Sequence, residues 1–126
     1  MYILQIEGEF AAAHRLREYQ GNCERLHGHN YRVQARITAE ELNAQGLVMD
    51  FREAKGKLGE AIEALDHRYL NEVPPFEKTN PSTENLARFL YEALAGRMGK
   101  GRSLESVTVW ESAGCSATYT GEKGER

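Results

Sequence analysis

The chain has 126 residues, of which 40% are hydrophobic and 28% charged, and carries a formal net charge of −3 at pH 7. That length bounds one domain, spanning 1–126, with room for a real core. The slightly acidic balance offers no basic field for nucleic acid, and the apolar runs are far too short for a membrane span, so neither partner is expected. The N-terminus lacks a secretion-signal pattern, and two cysteines in an ordinary composition fit a reducing, cytoplasmic compartment.

The first element reads as a strand. Tyr2, Leu4, Ile6, Phe10 and Ala12 share one parity, Gln5, Glu7 and Glu9 share the other, and His14 extends the apolar set. A polar loop containing Gln20-Gly21-Asn22-Cys23 follows, longer than a tight hairpin needs. A second strand runs from about His27 to Thr38, with His29, Tyr31, Val33, Ala35 and Ile37 on one face. Asp50, with Glu53 three residues on, caps a helix whose stripe is Phe51, Ala54, Leu58, Ile62 and Leu65. That helix is expected to end near Asp66-His67. A loop with Pro74-Pro75 leads to a second helix, capped by Asn80 or Ser82, with Leu86, Phe89, Leu90, Ala93 and Leu94 as its stripe. Two strands close the chain, Leu104 to Ser112 and about Cys115 to Thr120.

The order β-β-α-α-β-β predicts an α+β fold: a four-stranded, largely antiparallel sheet with two helices on one face. The bare face and edges of so small a sheet would be covered by oligomerisation, with edges closing into a barrel.

The four histidines fall in short patches. If the first two strands pair antiparallel, His14 at the end of one lies beside His27 and His29 at the start of the other. Residues i and i+2 on a strand share a side, so three imidazoles converge. Such a trio with an open fourth position suits a catalytic zinc ion, although imidazole alone also admits iron, copper or nickel. The competing reading is three unconnected, hydrogen-bonded histidines. Cys23 is close to this cluster in sequence and could be a ligand, a base or a passive small residue. Asp66-His67 reads either as an imidazole oriented by a carboxylate or as a helix-end histidine answering the dipole. Glu111 shares a face with Val107 and Val109. It could accept from the N–H and NH2 edge of a pterin or guanine ring, join an internal ion pair, or simply be exposed.

Together these patches resemble the 6-pyruvoyl-tetrahydropterin synthase family, which includes the bacterial 6-carboxy-tetrahydropterin synthases of queuosine biosynthesis. The matching pieces are Phe10-Ala-Ala-Ala-His14, Cys23-x3-His27-Gly-His29-Asn-Tyr31, Gly46-Leu-Val-Met-Asp-Phe51, Leu65-Asp-His67, Pro81-Ser-Thr-Glu-Asn85 and Val109-Trp-Glu111. Each is weak alone; their joint order is specific. The resemblance implies the tunnelling fold, with trimeric barrels stacked into a homohexamer. It implies zinc on His14, His27 and His29, Cys23 as the base, and Asp66 and His67 as an acid–base unit reaching across a subunit interface. Glu111 would anchor the pterin, helped by Ser82 and Thr83. Arg15, Arg25 and Lys78 are candidates for the anionic end of the substrate by loop position only.

The Cys-x3-His-Gly-His spacing is similar to that of the carboxy-tetrahydropterin enzymes. The implied reaction converts 7,8-dihydroneopterin triphosphate to 6-carboxy-5,6,7,8-tetrahydropterin, releasing triphosphate and acetaldehyde. Glu24, directly after Cys23, resembles the glutamate of a branch that forms 6-hydroxymethyl-dihydropterin for folate; the bland reading is a solvated loop residue. The rivals are therefore 6-pyruvoyl-tetrahydropterin formation, a dual-function enzyme, or a pterin-binding zinc module without catalysis.

Overall fold

The computed structural model describes residues 1–19 and 24–122. Its elements are β1 (Tyr2–His14), β2 (His27–Ala39), α1 (Phe51–Glu63), β3 (Arg68–Tyr69), α2 (Thr83–Ala95), β4 (Ser103–Ser112) and β5 (Cys115–Tyr119), with a 3-10 turn at Leu70–Glu72. The sheet order is β3-β1-β2-β4-β5. The expected four-stranded antiparallel sheet is thus five-stranded and mixed, because β3 runs parallel to β1 along Ala12–Ala13. The cause is local. Helix α1 stops at Glu63 rather than at Asp66-His67, and the freed residues turn back to the outer edge of β1. A two-residue strand carries no alternation that sequence could reveal.

β1 and β2 pair antiparallel along their whole length, from Tyr2↔Ala39 to His14↔His27. Their shared inner face carries Leu4, Ile6, Phe10, Ala12, Tyr31, Val33, Ala35 and Ile37, all buried, with Phe10 and Tyr31 stacked at 4.7 Å. Both helices cover this face, α1 over β1 and α2 over β4 and β5. Gly8 lets α1 approach: a Cβ there would stand 3.0 Å from Ile62 Cδ1 and 3.3 Å from Leu58 Cδ2. The α1 stripe is as expected at Ala54, Leu58, Ile62 and Leu65, but Phe51 is 61% exposed at the first turn. Asp50 caps α1 through Arg52 N at 2.7 Å; Glu53 instead pairs with Lys57 and Arg102, so only half of the expected capping box forms. Ser82, not Asn80, caps α2, its Oγ accepting from Asn85 N at 3.2 Å.

The outer face is polar and bare of helices. Arg36 pairs with Glu105 at 2.7 Å, and the Arg32 guanidinium stacks 4.0 Å over Trp110. β3 covers only one end of β1, so among the described residues the stretch from Tyr2 to Glu9 has no strand partner on that side.

Candidate metal centre and its surroundings

The register that pairs β1 with β2 sets His14 opposite His27 and Ala12 opposite His29. Three imidazoles therefore project to the helix side at the open end of the pair. Their ring centroids lie 4.7 Å (His14–His27), 5.1 Å (His14–His29) and 4.7 Å (His27–His29) apart. His14 is fully buried; His27 and His29 are half-buried.

The hydrogen bonds fix which nitrogens are free. His14 Nδ1 lies 2.8 Å from the Pro81 carbonyl oxygen, and His27 Nδ1 lies 2.7 Å from that of Arg25. A carbonyl can only accept, so each Nδ1 carries the proton and each neutral ring keeps its lone pair on Nε2. Those two Nε2 atoms face one another at 3.1 Å. Lone pair against lone pair is repulsive unless a cation or a shared proton lies between. Two donors about 2.0–2.1 Å from one tetrahedral zinc would stand roughly 3.3 Å apart. His29 Nε2 is buried with no hydrogen-bond partner. Burial is the main cause that lowers its pKa, against the Glu111 carboxylate, which raises it; this ring favours the neutral, ligand-competent form. The donor atoms of His14, His27, His29 and Glu111 all fall within 4.8 Å of one another, so the residues present fit a metal ion.

Two asparagines steer the chain into this geometry. Asn71 accepts from Arg15 N at 3.0 Å and donates to Arg15 O at 2.9 Å; Asn80 accepts from Arg17 N at 2.8 Å and donates to Arg17 O at 3.0 Å. Each side-chain amide thus acts as a strand partner for the segment leaving β1. The Arg17 guanidinium donates to Phe76 O at 2.7 Å, which makes it a brace rather than a substrate contact. This holds the loop before α2 against β1, where Pro81 meets His14. Tyr31 adds its hydroxyl 3.2 Å from His14 Nδ1, and burial keeps that phenol protonated. Sequence reading took Asn80 only as a candidate helix cap and missed Asn71 and the Tyr31 hydroxyl, since no spacing pairs either asparagine with β1.

Glu111 does turn to the inner face beyond Val107 and Val109, but its neighbours are imidazoles. Its Oε1 is 2.9 Å from His29 Nε2 and 3.2 Å from His14 Nε2. The β4–β5 pairing shifts register between Trp110 and Ser112, at this residue, the kind of irregularity that re-aims a side chain. Glu24 is not a solvated loop residue. Its Oε1 accepts from Leu16 N at 3.1 Å, its own N–H donates to Leu16 O at 2.9 Å, and its carboxylate comes within 3.9 Å of His27 Nε2.

Asp66 and His67 form a bonded unit at the sheet edge. Asp66 Oδ1 accepts from Ala11 N at 3.0 Å and lies 2.9 Å from His67 Nδ1. The Ala11 N–H is the main cause that holds the Asp66 carboxyl below its usual range, with His67 adding to it and partial desolvation opposing. His67 sits at φ 58°, in the left-handed region, with its side chain 82% exposed. With Nδ1 donating to Asp66, its Nε2 lone pair is presented to solvent. It borders an open groove with Ala11, Ala13, Gly28 and Asn30, and the same groove reaches His29 of the imidazole trio. The imidazole trio and Glu111 gather in one place; Asp66-His67 stays outside that group. Ser82 and Thr83 stand at the start of α2, next to the Pro81 carbonyl that holds His14. The capping bond occupies an acceptor site of Ser82 and leaves its O–H to donate. Cys23 lies outside the described residues.

Comparison with known proteins bears on the family and the fold. The family model for 6-pyruvoyl tetrahydropterin synthase matches residues 3–122. The chain is 36% identical, over 94% of its length and 93% of the relative's, to 6-carboxy-5,6,7,8-tetrahydropterin synthase from Synechocystis. It is 31% identical to a dihydroneopterin monophosphate aldolase from Pyrococcus furiosus, covering 81% of this chain and 82% of that one. Among solved structures, 6-pyruvoyl tetrahydropterin synthase from Caenorhabditis elegans superposes with a TM-score of 0.81 at 28% identity, covering 97% of this chain and 98% of that one. No helix among the described residues is long and apolar enough to cross a membrane.

Proposed function

From the premise that the chain belongs to the 6-pyruvoyl tetrahydropterin synthase family, and is an enzyme of pterin metabolism, we propose that it is a 6-carboxy-5,6,7,8-tetrahydropterin synthase of queuosine biosynthesis. The substrate is 7,8-dihydroneopterin triphosphate. With one water consumed, the products are 6-carboxy-5,6,7,8-tetrahydropterin, acetaldehyde and triphosphate, which makes the enzyme a carbon–carbon lyase. The observation that carries the reading is the convergence of two Nε2 lone pairs at 3.1 Å with both Nδ1 atoms pinned by carbonyls. Hydrogen-bonded core histidines would not be arranged to face each other in this way.

His14, His27 and His29 would hold zinc, whose Lewis acidity would make the side-chain hydroxyls and adjacent C–H of the substrate more acidic. Every other role belongs to the chain itself. Glu111 accepts from the pterin ring edge, helped by Ser82 and Thr83 at the start of α2 beside the Pro81 carbonyl that holds His14. Cys23 takes the side-chain proton as thiolate. His67, its tautomer fixed by Asp66, relays protons through the exposed Nε2. Asp66-His67 is not among the clustered donors, which supports a role at the site of a neighbouring subunit. The unpaired edge of β1 and the bare outer face support the corresponding assembly, trimeric barrels stacked as a cytoplasmic homohexamer.

One observation favours a second reading. Glu24 is anchored by Leu16 with its carboxylate beside His27, and a dihydroneopterin aldolase stands among the relatives. A base at Glu24 would cleave the side chain differently and leave 6-hydroxymethyl-dihydropterin, alone or beside the main product. Mass spectrometry of products from dihydroneopterin triphosphate decides. Acetaldehyde with the 6-carboxy product is expected. The 6-hydroxymethyl product would favour the Glu24 route, the 6-pyruvoyl product a simple synthase, and no turnover by the metal-loaded protein would leave a non-catalytic pterin-binding module.

A further inference from the structure

Glu111 stands in a place that its proposed task does not explain. A carboxylate kept for the N–H groups of a ring should await them in the open. Instead Oε1 lies 2.9 Å from His29 Nε2 and 3.2 Å from His14 Nε2, which faces His27 Nε2 at 3.1 Å. These separations fall a little short of the roughly 3.3 Å expected between ligands of one tetrahedral ion, and all four donors lie within 4.8 Å of one another. Among the described residues His29 Nε2 has no hydrogen-bond partner, although the carboxylate lies beside it at 2.9 Å. Strand alternation from Val107 and Val109 puts Glu111 on the inner face, and at 32% exposure its side chain keeps room to move.

We infer that Glu111 is the fourth metal ligand of the substrate-free protein and is exchanged for substrate. Without substrate the centre is closed by three imidazoles and one carboxylate. Zinc sites with four protein ligands are of the closed type, and those with three keep a position for chemistry. Arrival of the dihydropterin ring offers the carboxylate two charge-assisted N–H bonds, and its departure frees the fourth position for the substrate side chain. One residue thereby ties ring recognition to the opening of the centre, and water gains no free access to the metal beforehand. The inference rests on the proposed role of Glu111 as ring anchor for its second half only.

The test uses the full-length protein loaded with cobalt(II), without substrate. Glu111→Gln should weaken metal affinity at least about tenfold, the scale seen even for groups that only support ligands, and should change the visible cobalt spectrum. Adding a non-reactive pterin to the wild-type protein should move its spectrum towards that of the variant. An unchanged affinity and spectrum in Glu111→Gln would overturn the inference, and loss of turnover in that same variant would then leave Glu111 as ring anchor only. A changed spectrum in a wild-type protein that does not turn over dihydroneopterin triphosphate would keep the ligand and sink the proposed activity. No spectral response of the wild type to pterin would overturn the exchange.

Discussion

The two histidine-bearing regions are built in opposite ways. The cluster at the open end of β1 and β2 is over-determined: each of His14 and His27 has its Nδ1 held by a backbone carbonyl, and the strand leading out of His14 is clamped by Asn71 and Asn80. The Asp66-His67 unit has one internal ion pair, one backbone anchor and an imidazole that projects outward at positive φ. A group that could hold a metal ion needs several donors at fixed separations, and paired strands of one chain supply them here. The role proposed for His67 asks only for one oriented ring presented at an edge, which can serve a site built elsewhere.

That contrast is broken most severely at the metal. His27→Ala removes one of the facing donors, and metal affinity should fall by more than about 100-fold, beyond the loss typical of supporting residues. Metal content after gel filtration measures it; stoichiometric metal in the variant would sink the ligand assignment. Turnover should vanish with the metal.

The proton chemistry should separate cleanly from metal binding. Cys23→Ala should lower kcat by about 10²–10⁴ with metal content retained, the range for a positioned general base. His67→Ala should lower it by about 10², again with full metal. If the relay serves a neighbouring subunit, co-refolding inactive His27→Ala with inactive His67→Ala should restore part of the activity. Mixed oligomers without any recovery would place relay and metal in the service of the same chain.

How much of this was legible in advance follows from the range of each signal. The parity of Tyr2 to His14 and of His27 to Ile37 carries both the pairing and the convergence of three imidazoles, because strand periodicity is a local property that pairing preserves. The helices were legible for the same reason. β3 was not, since two residues hold no period, and its existence depends on where α1 frays. The meeting of Glu111 with His14 and His29, and the roles of Asn71 and Asn80, depend on chain segments more than 50 positions away. Phe51 fitted the helical stripe, but it is 61% exposed at the first turn of α1.

The clamp gives a smaller, purely structural effect. Asn71 is 7% exposed and satisfies both the N–H and the C=O of Arg15. Asn71→Ala strands those groups and should cost about 1–3 kcal/mol. A lowered denaturant midpoint at unchanged slope would report it. Metal affinity should fall only modestly, because Pro81 still holds His14.

The smallest effect lies at the other region and depends on pH. The Asp66 carboxyl is depressed below its ordinary value of 3.8, first by the Ala11 N–H and then by His67. A depressed carboxyl stabilises the folded state above its unfolded pKa, and that contribution disappears as pH falls through the folded value. Wild-type protein should therefore exceed Asp66→Asn in stability by a constant margin at neutral pH, and the two should converge at pH values below 3.8. Parallel unfolding curves across that window would mean that the carboxylate contributes nothing to the edge. The same variant puts a neutral amide where a carboxylate faced His67 Nδ1, so turnover should fall while metal affinity stays where it is.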